Sequence, residues 1–443
     1  MIATSVRPGD PPNPRTVGGR RTRMFLGWWV VIGAVGVQAL QAALLVQAYG
    51  AYMPILQADL GWSATLFASA FSLLQAIGGI LGPLQGRLLT RIPPRALVRF
   101  GLILMGLSFV LLSRVGSQTE FFVVFALIAV GLHLSGFLTL TTIVVNWFER
   151  RRSLALALMQ LGVPLGGLVL PLVAWSLSDL GWRTTALASG ITTLVVGLAV
   201  AQLLHGRPED HGLRPDGKRE FGPVPGAIPG VKGIELAPAG RDFTAAQAMR
   251  TRAFWFLALG HALALMVVSA VNVHAVIHIS FGLGYTLPAA AAFVALMTVF
   301  TLIGQLLGGL LGDRFSKRLT ASGAMWLHAL ALLTLTYASS TLLIVLFALV
   351  HGLAWGIRGP LMQALRADYF GRSAFSTIMG NSMFIVTIGA LAGPLLAGVL
   401  FDISGDYVLA FTIMAGLAAA GSLFFLFAGK PGLGDATVPR PVT

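Results

Sequence analysis

Long, predominantly apolar runs separated by short polar stretches recur twelve times along the chain, at 27–51, 63–84, 97–114, 121–144, 153–175, 184–204, 253–277, 288–311, 320–338, 341–364, 374–398 and 407–428. Each approaches the roughly 20 residues that a helix needs to cross the hydrocarbon core, where every backbone group must be satisfied within its own segment. Six runs precede a polar, proline-rich stretch and six follow it. The two sets echo each other at an offset of 223 positions: Leu60, Gly61, Trp62 and Ser63 recur as Leu283, Gly284, Tyr285 and Thr286, and Gly86, Thr90 and Arg91 recur as Gly309, Asp313 and Arg314. Pro171 and Asp179 fall opposite Pro394 and Asp402. An echo that holds its offset across most of each half marks a duplicated and fused unit. The pattern predicts an all-α membrane protein of twelve transmembrane helices in two pseudo-symmetric six-helix bundles, with the function between them.

The predicted organisation is a cytosolic tail (1–26), a first bundle (27–204), a cytosolic linker (205–252), a second bundle (253–428) and a second tail (429–443). The linker carries Pro208, Pro215, Pro223, Pro225, Pro229 and Pro238 among charges and glycines, with a short interfacial helix predicted at 243–250. Composition agrees, with 56% apolar and 10% charged residues. A soluble domain carries about a quarter charged.

The net charge of +14 fits a nucleic-acid binder only until the basic residues are placed. Threading both termini into the cytoplasm puts 27 of the 30 Lys and Arg residues on that side, including Arg7, Arg15, Arg20, Arg21, Arg23, Arg87, Arg91, Arg95, Arg99, Arg150, Arg151, Arg152, Arg366 and Arg372. Arg114 and Arg183 fall outside, and Arg358 alone falls deep within a run rather than at its end. Such a bias sets orientation and attracts anionic lipid headgroups. The expected location is therefore a multi-pass position in the plasma membrane, the inner membrane of a bacterium. The apolar run after Arg20 and Arg21 is too long for a cleavable export signal. There is no cysteine, which excludes disulfides and thiolate metal sites.

Twelve spans, duplicated halves, a long central loop and basic short loops after the second and eighth spans resemble the major facilitator superfamily. Its loop motif, Gly-x-x-x-Asp-Arg-x-Gly-x-Arg, stands here as Gly86, Thr90, Arg91, Pro93, Arg95 and again as Gly309, Asp313, Arg314, Ser316, Arg318. Within that superfamily, Gly27-Trp28-Trp29, Asp59-Leu60-Gly61-Trp62-Ser63, Trp147-Phe148 with Arg150-Arg151, and Gly181-Trp182-Arg183 resemble the monocarboxylate porters and oxalate:formate antiporters. The resemblance implies a secondary transporter that works by alternating access, with the first, fourth, seventh and tenth helices lining a central cavity. It also implies that Asp313, Arg314, Arg91 and Arg95 belong to the inner gate, with Asp313 meeting the positive N-terminal end of a neighbouring helix. Where anion-binding members carry an arginine in the eighth helix, this chain has Gln305. An acid one turn earlier and a lysine in the first helix are replaced by Thr301 and by Val46 or Gln47.

Arg358 carries the main chemical signal. A charge at helix centre is costly in hydrocarbon and faces a cavity or partner, and Arg358 lies eight residues, about 12 Å, before Arg366. It reads as the anchor of an anionic substrate group, against the alternative of a structural arginine bonded to backbone carbonyls near the bend at Gly359 and Pro360. His351 and Trp355 share its helix face. Gln38, Gln41, Tyr49 and Tyr52 form a polar stripe on the first helix that lines the cavity or joins a neighbouring helix. Gln305 offers a neutral donor and acceptor, and His133 and His261 are deep enough to titrate. No Asp or Glu falls within a run, so a coupling proton would have to use a histidine. His274 and His278 have metal-ligand spacing but no third ligand nearby, and the glycine-rich runs are helix-packing surfaces rather than phosphate loops.

The expected function is secondary active transport of a small organic anion, a mono- or dicarboxylate, with lipid contacts and a coupling proton or counter-substrate. No cofactor, metal or nucleic-acid partner is expected. The alternatives are export of neutral or lipophilic solutes, and a membrane sensor that binds without transport. No nucleophile, base and acid gather at one depth, so the reading is not an enzyme.

Overall fold

The computed structural model describes residues 24–217 and 242–432. These are helical, with no β-strand among them. The membrane-crossing helices are α1 (Leu26–Met53), α2 (Ala64–Leu88), α3 (Pro94–Leu112), α4 (Gln118–Trp147), α5 (Arg152–Asp179), α6 (Trp182–Leu203), α7 (Arg252–Ser280), α8 (Pro288–Arg314), α9 (Lys317–Thr336), α10 (Thr341–Phe370), α11 (Phe375–Ser404) and α12 (Val408–Phe427). The helices begin and end where local chemistry dictates. The Ser63 hydroxyl accepts from Leu66 N and opens α2, Ser117 and Glu120 form a reciprocal capping box on α4, and Thr251 caps α7. Gly61, at φ 67°, ends the helical continuation of α1 in a conformation that L side chains rarely adopt. Large apolar side chains such as Leu342, 74% exposed, cover the outer surface.

The halves meet through α2 with α11, α5 with α8 and α10, and α4 with α10 and α11, whereas α1 and α7 make no substantial contact. The closest approaches lie toward the end that carries the basic loops. A Cβ on Gly82 would sit 2.9 Å from the carbonyl oxygen of Gly380, and one on Gly309 would sit 2.7 Å from the Ala157 methyl group. The hydrophobic core at this end of the first half also takes in Ala364, Ala367, Phe375 and Met379 of the second. Burying a side chain of the size of Phe375 or Met379 contributes about 1.5–3 kcal/mol each, so the basic end is closed.

Inside the first half, α4 is interrupted at Gly136, whose backbone leaves the helical region between Gln118–Ser135 and Phe137–Trp147. The freed carbonyls are taken up by side chains. Gln41 Nε2 donates to Leu132 O at 3.3 Å, while Gln85 Nε2 donates to His133 O at 2.7 Å and to Leu134 O at 3.5 Å. The duplication places Gly359 and Pro360 of α10 at the same internal address, where proline removes a backbone donor.

Three sequence expectations change here. Arg366 is not in a loop: α10 runs on to Phe370, and Arg366 lies within it, 1% exposed, so Arg358 is not the only arginine inside a span. The charge made this segment read as loop, but its guanidinium is satisfied by neighbouring oxygens and has no need to reach water. The ends of the linker are built into the halves, with Trp147 Nε1 donating to His205 O at 2.7 Å and Phe243 N donating to Phe370 O at 2.9 Å. The short helix predicted at 243–250 spans Ala245–Arg250. The tail arginines Arg7, Arg15, Arg20, Arg21 and Arg23, and the linker prolines from Pro223 to Pro238, lie outside the described residues.

Candidate functional site

The helices α8 and α10 pack backbone against backbone because glycine removes the side chains between them. A Cβ on Gly304 would fall 2.5 Å from Leu353 O, and one on Gly308 2.7 Å from the Ile357 Cα. Any larger residue there would push the helices apart. This contact fixes Gln305 and Arg358 at one depth. One residue on, a Cβ on Gly359 would sit 3.1 Å from Gln160 Oε1 of α5, so three helices from both halves converge just beyond the closed basic end.

Arg358 is 1% exposed, and its Nε and Nη1 have no hydrogen-bond partner. Arg366, two turns along the same helix, is an internal comparison. Its Nη1 donates to Met362 O at 2.7 Å, and its Nη2 to Leu257 O at 3.1 Å and Ser382 Oγ at 2.6 Å. Nε also donates to Ser382 Oγ at 3.1 Å. One arginine is saturated and the other is not. The charge of Arg358 lies within electrostatic reach of His261 on α7, His328 on α9 and His351 on α10. His351 is fully buried, its Nδ1 3.2 Å from His328 Nδ1, so one ring donates and the other accepts. Trp355 is half-buried against the core of the second half. Unpartnered buried atoms also occur at Gln305 Oε1, Gln160 Nε2, Gln38 Oε1 and His261 Nδ1.

Other residues of the polar set bind within the first half. Gln41 donates to Ser135 Oγ at 2.8 Å as well as to Leu132 O, tying α1 to α4. The Tyr49 hydroxyl donates to Phe67 O at 2.5 Å, and Tyr52 is buried beside Ser189. His133 Nε2 meets Leu74 O at 3.0 Å, joining α4 to α2. His274 bonds Tyr407 and Pro394 O, each at 3.0 Å, and His278 bonds Leu335 O.

At the basic end, α5 begins after Arg151, which supplies no side-chain cap. The missing acceptor comes from the other half: the Asp313 carboxylate accepts from Ser153 N at 2.9 Å and Leu154 N at 3.1 Å. At the duplicated position the chemistry is neutral, with Ser376 Oγ and Thr377 Oγ1 donating to Gly86 O at 3.0 and 3.1 Å. Thr90, opposite Asp313 in the echo, bonds back to Arg87 O in its own segment. Further links across the halves join Arg152 to Asp368, which also pairs with Lys317 at 2.8 Å, and Arg372 to Asn146 O at 3.2 Å, with Arg372 also paired to Glu209 at the start of the linker. Arg91 and Arg314 are exposed. Arg95 does not cross between halves, for it donates to Gln202 O and Oε1 at the end of α6. Sequence reasoning missed Asp368, Glu209 and Arg372, which read as ordinary loop charges, and Gln160, an isolated polar position.

At the opposite end, Asp59 accepts from Trp182 Nε1 at 2.7 Å and from Arg183 Nη1 at 2.8 Å, and Arg183 stacks on the Trp182 ring. These bonds, the indole first, hold the Asp59 carboxyl below the usual carboxylate range. Its contribution is present above the unfolded pKa and is lost as pH falls through the lower folded value. Asp59→Asn should therefore melt below the parent at neutral pH, with the gap closing in acid. Thermal scans from pH 7 to pH 3 check this, and a gap independent of pH would refute it.

The sequence model of the Major Facilitator Superfamily matches residues 35–301 and 257–441. Monocarboxylate transporter 13 of Rattus norvegicus is 25% identical over 401 residues, covering 89% of this chain and 87% of that protein. The hexuronate transporter of Escherichia coli (strain K12) is 24% identical over 295 residues, covering 60% of this chain and 66% of its own length. The crystal structure of the E. coli fucose:proton symporter superposes with a TM-score of 0.67 at 17% identity, covering 92% of this chain and 98% of that one.

Proposed function

Because this chain belongs to the major facilitator superfamily and is a multi-pass secondary transporter of a small molecule rather than an enzyme, we propose that its cargo is a small organic anion, anchored on Arg358 and moved by alternating access. The observation that carries this reading is the unsaturated guanidinium of Arg358 beside the saturated one of Arg366. An uncompensated charge inside a bundle is strongly destabilising. A carboxylate would compensate Arg358 in paired hydrogen bonds, for which a planar guanidinium is suited. The names of the two curated relatives, one a monocarboxylate and one a hexuronate transporter, support the same substrate class.

In this reading the basic end faces the cytoplasm, both termini lie there, and the membrane is the plasma membrane, the inner one of a bacterium. The conformer is closed to the cytoplasm by Asp313, Asp368 and Glu209, with the opposite end parted. Release of those contacts, and closure between α1 and α7, would give the alternate state.

Exchange assays in proteoliposomes test the proposal. Counterflow of labelled L-lactate or D-galacturonate should be inhibited by carboxylates and not by glycerol or D-galactose. Equal inhibition by the neutral compounds would remove the case for an anion.

A further inference from the structure

We infer that the anion is hydroxylated, and that Gln160 and Gln305 read its hydroxyl group. The inference rests on the anion reading of Arg358 and concerns what lies beside the charge. Where α5, α8 and α10 converge, the buried polar atoms left without partners include Gln160 Nε2 from one half and Gln305 Oε1 from the other. The carboxamide of Gln160 lies against Gly359, the neighbour of Arg358, with Oε1 on the α10 side and Nε2 at its free end. The register of α8 places Gln305 at the same depth: Asp313 meets Ser153, and Gly309 meets Ala157 one turn farther in. A further turn along both helices brings Gln305 to the level of Gln160. The level of the anchoring cation therefore also holds a neutral donor and a neutral acceptor.

The pairing selects chemistry. A carboxamide nitrogen only donates and a carboxamide oxygen only accepts. A substrate hydroxyl satisfies both at once, accepting from Gln160 and donating to Gln305. An oxo group satisfies the donor alone, and a methylene leaves both unpaired. Sites built to bond a hydroxyl reject the analogue lacking it far more strongly than apolar pockets reject an extra group. The order of preference is hydroxy acid, then oxo acid, then alkyl acid. Because Gln160 and Gln305 sit on opposite halves, a hydroxyl that bridges them also ties substrate occupancy to the distance between the bundles.

Matched competitors decide the matter. Inhibition of counterflow is compared for L-lactate, pyruvate and propionate, which share size and charge, and for D-galacturonate against cyclohexanecarboxylate. The parent protein should favour the hydroxylated member of each pair by roughly tenfold or more, with pyruvate between. In the Gln160→Ala/Gln305→Ala protein, verified as folded by gel filtration and melting, the ratios should fall to within about threefold. Equal inhibition within each pair by the parent protein, or an undiminished preference in the double variant, overturns the inference while leaving an anion carrier in place. Failure of all five acids to inhibit, or full retention of inhibition by Arg358→Gln, overturns the anion reading itself.

Discussion

Arg358→Met is expected to abolish carboxylate exchange while raising the melting temperature of the protein. Replacing a buried ionic group by an apolar one of similar volume is often neutral or stabilising, by about 1–4 kcal/mol, and here the charge removed has two unpartnered nitrogens. Transport should fall by roughly a hundredfold or more, on the scale of losing a charge-assisted pair in a closed site. Arg366→Met is the control, and its sign is opposite. It strips partners from Ser382 Oγ, Leu257 O and Met362 O, all at buried positions, and should destabilise by about 2–4 kcal/mol. Melting curves and exchange rates on both variants separate the roles. If Arg358→Met melts as low as Arg366→Met, Arg358 is a structural residue and the anchor must be sought elsewhere.

Asp313→Ala should move the resting population away from the state closed at the basic end. The carboxylate supplies the only cap that α5 receives at Ser153 N and Leu154 N among the described residues, and it stands at the positive end of that helix. Two charge-assisted bonds at a half-exposed position are worth about 1–3 kcal/mol after solvent screening, enough to shift an equilibrium by about one or two powers of ten. The chain has no cysteine, so Ala157→Cys provides a reporter on a clean background. In the presence of Asp313→Ala, its labelling from the basic side should accelerate by a similar factor. Unchanged labelling would mean that the carboxylate caps α5 without biasing the gate. Asp313→Asn should give a smaller acceleration, because the amide oxygen still accepts one bond without the charge.

The sequence was most legible where physics acts on composition. Spans are set by the length and apolarity that hydrocarbon demands, and the echo at 223 positions revealed the duplication. Loop charges were legible as topology but not as partners. Nothing local to Asp368 says that it will meet Arg152 and Lys317, for that choice is made by how the bundles close. The polar stripe of α1 shows the same limit. Spacing puts Gln38 and Gln41 near one face, but only the interruption of α4 explains why Gln41 is consumed by Leu132 O and Ser135 Oγ while Gln38 Oε1 stays unpartnered. Arg366 was misplaced because charge signals water when read alone, and a saturated guanidinium does not need it. Gln160 gave no pattern at all. Its interest comes only from what α10 brings beside it.

The interruption of α4 at Gly136 falls opposite Gly359 of α10 in the duplicated plan, next to Pro360. The same address thus holds a backbone break in the first half and a proline within a continuous helix in the second. In the first half, borrowed amides from Gln41 and Gln85 splint the fracture, and its neighbour Ser135 is neutral and bonded. In the second, the residue opposite Ser135 is Arg358, and among the described residues no side-chain amide of another helix donates to the backbone there. Bending stiffness should therefore differ between the halves. On the proposed anchoring of an anion at Arg358, loading the carrier would bring a neutralising charge to this address in the second half, where the first half already has neutral partners.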